Sequence, residues 1–205
     1  MDTVYNDETN GHFIQTFKFV NAGILFGIYH ETKTAQSMKE GVDLLESVLG
    51  TELFRKYVHI LLTDRDPEFT VADAMETGSD GTRRTRVFYC DPMQSGQKCT
   101  LENKHIELRY IIPEDTDLRA LGLVDQAALN LAVSHVDSAP IEMFGGKSPL
   151  DLADFMYRDL YEKLDSFGVH KIEKDKVILK PYLLKNKNLR AAVRTAPYAY
   201  CPSGI

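Results

Sequence analysis

Apolar positions along the chain fall into two kinds of run. In "HFIQTFKFVNAGILFGIYHE", Phe13, Ile14, Phe17, Phe19, Ile24, Leu25, Phe26, Ile28 and Tyr29 crowd around Asn21-Ala22-Gly23, predicting two strands and a turn. "MDTV" at the start reads as a further short strand. From about Thr34 to Leu49 the period changes: Ala35, Met38, Val42, Leu45 and Leu49 recur at three- and four-residue steps, predicting a helix that Gly50 closes. "YVHILLTD" is a short apolar run followed by turn residues, the pattern of a buried, parallel strand. "EFTVADAME" is a short helix candidate, "GSDGTRRT" a loop and "RVFYCD" another strand. Helical spacing returns from about Thr100 to Ile112, ended before Pro113, and again from about Val124 to Val136. In "GGKSPLDLADFMYRDLYEKLDSFG" a Gly-rich turn leads into a helix with Ser148 as N-cap and Pro149 at its first position. The order of strands, helix, strands and helices predicts one α/β domain with a mixed sheet.

Composition narrows this only slightly. The 205 residues are 43% hydrophobic and 26% charged, as in an ordinary globular protein. No apolar run approaches the ~18 residues of a membrane span, and the acidic, polar start does not read as a signal peptide. Cys90, Cys99 and Cys201 show no CxxC pairing, so neither a zinc cluster nor a disulfide framework is expected, and a reducing cytoplasm is the default. The net charge of −6 argues mildly against a general nucleic-acid binder. It is unevenly spread: residues 176–205 hold six basic side chains and no acid, so the first 175 carry all the acidity. A carboxylate-rich body with a basic tail fits a metal-dependent enzyme acting on a polyanion, and equally a plain acidic domain with a solvated tail.

Three acids occupy suggestive places. Asp2 opens the first strand, Asp64 ends the "HILLTD" strand, and Glu102 stands in the first turn of the helix after "RVFYCD". In parallel α/β arrangements the site forms beyond the carboxyl ends of adjacent strands. Carboxylates converging there repel unless a hard divalent cation neutralises them, and magnesium or manganese prefer such ligands. Two such ions activate a water or a 3′-hydroxyl and stabilise the leaving oxygen of a phosphodiester. The plainer reading is that an Asp at a strand end forms a turn and a helical Glu is solvated.

The blocks "MDTV", "LLTDRDPEF", "RVFYCDPMQSGQKCTLENKHIELRYIIPEDTDLRALG", "GGKSPLDL" and "KDKVILKPYLL" occur in this order. Together they resemble the catalytic core of bacterial insertion-sequence transposases of the DDE class, the insertion-sequence-thirty family, whose core is similar to that of retroviral integrases. The resemblance implies a ribonuclease-H-like fold, a mixed five-stranded sheet flanked by helices, over residues 1–167, with a basic extension at 168–205. It implies metal-dependent cleavage and strand transfer at transposon ends, with Asp2, Asp64 and Glu102 holding Mg²⁺ or Mn²⁺, two ions in all. Transposon-end and target DNA are then the partners, on which a homodimer is expected because two ends are joined, with no membrane involved. Gln97, Lys98, Asn103, Lys104, His105 and Arg109 are expected to meet DNA, and Arg83, Arg84 and Arg86 to line its path. Glu102, His105, Ile106 and Arg109 should share one helix face.

Some positions depart from the family pattern. Asp66-Pro67 and Cys99 stand where the family usually carries Gly, and the helix-turn-helix region that normally precedes this core is absent from these residues. Pro67 holds Asp66 extended, whereas Gly permits a positive φ or a close approach to a ligand. These departures predict that the chain by itself does not complete end-specific transposition. They keep two alternatives open: an inactive truncated transposase remnant, and a metal-dependent nuclease on the same fold.

Overall fold

The computed structural model describes residues 1–5, 11–65, 71–78, 80–91 and 99–186. Its architecture is mixed α/β. Strands β1 (Asp2–Val4), β2 (Phe13–Phe19) and β3 (Ile24–His30) form an antiparallel sheet in that order. Strands β4 (Ile60–Thr63) and β5 (Arg86–Tyr89) form a parallel pair. The Met1 ammonium donates to the Leu62 carbonyl at 2.7 Å and so ties the start of β1 to β4. The helices are α1 (Ala35–Leu49), α2 (Thr51–Tyr57), α3 (Ala72–Glu76), α4 (Cys99–Arg109), α5 (Leu118–Leu121), α6 (Gln126–Ser138), α7 (Pro149–Met156), α8 (Arg158–Phe167) and α9 (Tyr182–Lys185). No helix among the described residues is long and apolar enough to cross a membrane.

The β2–β3 hairpin forms as its pattern predicts. Nearly every residue of both strands is buried, because helices cover both faces. α1 is capped by Thr34, whose side chain accepts from the Ser37 N–H, and it ends at Gly50 with φ of 78°. That same glycine starts a helix the sequence pattern did not announce, α2, where the "YVHILLTD" strand was expected to begin soon after. Glu52 in its first turn and Arg55 and Lys56 in its last complement the helix dipole. The strand therefore starts at Ile60. The helix expected after Ser148 is two helices: the chain breaks at Tyr157 (φ −134°, ψ 49°), which both ends α7 and precedes α8. The Ser148–Asp151 capping box fixes the start of α7 as expected.

Buried polar groups lock these layers together. Gln15 on β2 is fully buried; its Nε2 donates to Met38 O at 3.1 Å, and its Oε1 lies 3.0 Å from His30 Nε2. Gly41 of α1 makes room for it, since a Cβ there would fall 1.7 Å from Gln15 Oε1. Gly41→Ala should therefore lower stability by about 1–3 kcal/mol through overpacking, although Ala is the better helix former. A urea titration checks the sign, and a stabilised variant would contradict this packing.

The outer edge of β3 is covered by side chains of α6 instead of a strand. Asp137 accepts from Leu25 N through both carboxylate oxygens (3.1 and 3.0 Å). Gln126 donates to Gly27 O (2.8 Å) and accepts from Tyr29 N (2.9 Å). A free edge is a template for unwanted pairing, and these contacts close it.

His135 of α6 is 2% exposed, and its Nδ1 accepts from Ile178 N at 3.0 Å. Burial pushes it down to about 4, and pushes the less enclosed His30 down to about 4 as well. A folded-state pKa below the unfolded value of about 6.5 means the neutral form is favoured by folding. That contribution is complete above pH 6.5 and is lost as pH falls toward 4, by up to about 3 kcal/mol for His135. Denaturant titrations at pH 7 and 4.5 should show the loss, and His135→Asn should lessen it.

Candidate active site

The site is built around one end of the sheet. Asp2 sits opposite Thr16 in the β1–β2 ladder. Its Oδ1 accepts from the Thr3 N–H at 2.8 Å, and its side chain is 19% exposed. Thr16, fully buried, donates its hydroxyl to the Asp2 carbonyl at 3.1 Å. His105 reaches the same point from α4: Nε2 lies 2.9 Å from Thr16 Oγ1, and Nδ1 lies 4.0 Å from Asp2 Oδ2. With the Thr16 proton spent on Asp2, its oxygen accepts from His105 Nε2–H. The imidazole is thereby oriented with Nδ1 toward the Asp2 carboxylate.

Asp64 follows β4 directly, half-buried, with Oδ1 out of contact with solvent. β4 is held at that point by the β5 ladder, which Cys90 N extends with a 2.7 Å bond to Thr63 O. Glu102 stands one helical turn before His105, and both it and Asn103 are exposed. Gln97 and Lys98 lie outside the described residues, as does Asp66-Pro67.

α4 buries one of the side chains expected to meet DNA. Leu101, Lys104 and Leu108 form its buried stripe, so Lys104 points inward and is 2% exposed. Its ammonium lies 2.7 Å from Glu107 Oε2 and 3.5 Å from Asp137 Oδ1. The expected DNA contact by Lys104 is corrected accordingly: in this position it is a buried counter-ion. Arg84, expected along the DNA path, is likewise 2% exposed, bound to Glu46 (2.8 Å), Asp43 (2.7 Å) and the Met75 carbonyl (2.8 Å). Arg83 and Arg86 are exposed. Arg109 donates to the Tyr5 carbonyl at 3.2 Å and lies 3.6 Å from Glu114, so it ties α4 to the end of β1. Glu102, His105 and Ile106 share a face as predicted, with Ile106 in solvent.

Asp137 escaped the sequence reading. It is completely enclosed, and burial pushes its carboxyl up to about 7, against the pull of Lys104 and the Leu25 N–H. The available signal was an acid inside the apolar stripe of "NLAVSHVDS", where a solvated residue has no place.

Oxygen donors such as Asp2, Asp64 and Glu102 suit a hard divalent cation in kind. Among the described residues, however, no group of three or more His, Cys, Asp and Glu side chains is placed to hold a metal ion. Asp2 faces His105 instead, and Glu102 is turned to solvent. No protein-family model matches the chain, and a search of curated proteins finds no match to it.

Proposed function

We propose that this chain is a ribonuclease-H-like catalytic core of the DDE transposase type, whose chemistry is metal-dependent cleavage and transfer of DNA strands. The observation that carries the reading is the 2.7 Å bond from Met1 N to Leu62 O. It makes the two small sheets neighbours and supports a five-stranded order β3-β2-β1-β4-β5. In a parallel β1–β4 register that bond sets Met1 beside Thr63, and therefore Asp2 beside Asp64. His105 reaches Asp2 from α4, and Glu102 lies one turn away on the same helix.

In this reading Asp2, Asp64 and Glu102 would hold Mg²⁺ or Mn²⁺, which would supply charge neutralisation and an activated oxygen nucleophile. Glu102, exposed at the start of α4, would have to turn inward to join them. Thr16 fixes the His105 ring beside the Asp2 carboxylate. Arg109 and Tyr5 hold α4 against β1, so the two acid-bearing elements move as one. Gln97, Lys98, Asn103, Arg83 and Arg86 remain the candidate phosphate contacts, which position DNA without reading its sequence. DNA bearing transposon ends is the substrate, with assembly as a dimer on it.

A purified-protein assay with Mn²⁺ and labelled end-bearing duplex tests this. Metal-dependent nicking is the expected result; joined products mark a transposase, and equal cutting of unrelated plasmid marks a nuclease. Absence of any metal-dependent product overturns the enzymatic reading. It favours the inactive remnant, to which the outward position of Glu102 already lends support.

A further inference from the structure

The parallel pair β4–β5 is packed on one face and open on the other. Its register sets Leu61 beside Val87 and Leu62 beside Phe88. Alternation then gives one face to Leu61, Thr63, Val87 and Tyr89, and the opposite face to Leu62, Arg86 and Phe88. Leu61 and Thr63 are buried, whereas Arg86 is exposed and Phe88 is 49% exposed. Parallel ladders are ordinarily buried on both faces, so an aromatic ring standing in solvent on this one calls for an occupant.

The strand beneath that ring is fixed on both edges. Cys90 N bonds Thr63 O of β4 at 2.7 Å, and Val87 N bonds Glu76 Oε1 of α3 at 2.9 Å on the far side. Phe88 is therefore held in place before any ligand arrives. Its position relates it to the candidate site. Asp64 lies two residues beyond Leu62 and continues the alternation onto the same face. One strand spacing of ~4.8 Å across and one two-residue step of ~6.6 Å along put the Phe88 and Asp64 Cα atoms about 8 Å apart. Exposed arginines flank the face: Arg86 on it, Arg83 just before β5 and Arg65 next to Asp64. Glu76 offsets Arg83 only in part, at 3.4 Å. In a chain of net charge −6, this local run of cations favours a polyanion over an apolar peptide. An aromatic ring set among cations is the composition of a stacking platform for single-stranded nucleic acid.

We propose that Phe88 and Arg86 form a seat for an unpaired nucleobase and its phosphate, next to the strand position held at Asp64, so that single-stranded or frayed DNA is preferred over fully paired duplex. Phe88 supplies the stacking surface, which accepts any base, and Arg86 supplies the phosphate contact. That the ligand is DNA rests on the function proposed above; the seat itself requires neither the metal nor catalysis.

The chain contains no tryptophan, so Phe88→Trp places a single indole in the seat. Titration of this variant with oligothymidylate, in EDTA and about 50 mM salt, should quench its fluorescence saturably, because a base stacks on the indole. A strand of abasic deoxyribose phosphates and a fully paired duplex should bind without quenching. Phe88→Ala, altered at a half-exposed position, should keep its thermal midpoint and bind oligothymidylate roughly 5- to 100-fold more weakly, with unchanged affinity for the abasic strand. Arg86→Ala should weaken both strands alike and lower the salt slope by about 0.7. DNA binding with no quenching of the Phe88→Trp protein, or with equal affinity in the parent and Phe88→Ala, overturns the seat and leaves the DNA reading standing. Absence of binding to every strand and to the duplex overturns both. Self-association that is lost in Phe88→Ala, with no quenching by DNA, assigns the face to a second copy and also overturns the proposal.

Discussion

Asp137→Ala should lower the unfolding free energy by about 3–5 kcal/mol, the scale of breaking a buried ion pair by removing one partner. Two losses combine. Lys104, 2% exposed, is left with Glu107 as its acidic partner among the described residues, and the Leu25 N–H on the β3 edge loses both of its acceptor oxygens. Asp137→Asn separates the two, because an amide oxygen still accepts from Leu25 N. It should cost less, about 1–3 kcal/mol. Urea titrations of both variants at pH 8.5, above the value of about 7 to which burial pushes the Asp137 carboxyl, check this order. Equal losses would mean that the charge of Asp137 contributes little. Lys104→Met should likewise reduce stability, and it should leave the salt dependence of any DNA binding unchanged, since a buried ammonium releases no counter-ion.

Asp64→Asn should reduce metal-dependent DNA cleavage roughly 10²–10³-fold, the scale of losing one group that acts in the transition state. Asp64 is half-buried at the end of β4, and amide for carboxylate is nearly isosteric, so the thermal midpoint should move little. Asp2→Asn should behave similarly in cleavage. It also removes the carboxylate charge that faces His105 Nδ1 across 4.0 Å. A fully active Asp64→Asn protein would remove the acid from the chemistry.

Much of the fold was legible because its signals are local. Thr34 and Gly50 bracket α1, Asn21-Ala22-Gly23 turns the β2–β3 hairpin, and Ser148-Pro149 starts α7. What escaped had no local signal. α2 buries only Phe54, so it carries no stripe and is held by its neighbours. The break at Tyr157 is invisible because Leu150, Ala153, Leu160 and Leu164 keep helical spacing straight across it. The site shows the same division. Asp64 was nominated from an apolar run ending in an acid, and Asp2 from its place at a strand start. The direction of Lys104 depends on which side of α4 meets α6, and Asp137 depends on the edge of β3. Both are properties of tertiary contact, although the Leu101/Lys104/Leu108 spacing held half of that answer.

The central proposal is that Asp2 and Asp64 hold a divalent ion with Glu102. Isothermal titration of the purified chain with Mn²⁺ tests it most directly. The account predicts saturable binding by the parent protein that is lost in Asp64→Asn and weakened in Glu102→Gln, with all three proteins folded by circular dichroism. Absence of binding by the parent, or undiminished binding by Asp64→Asn, would contradict it.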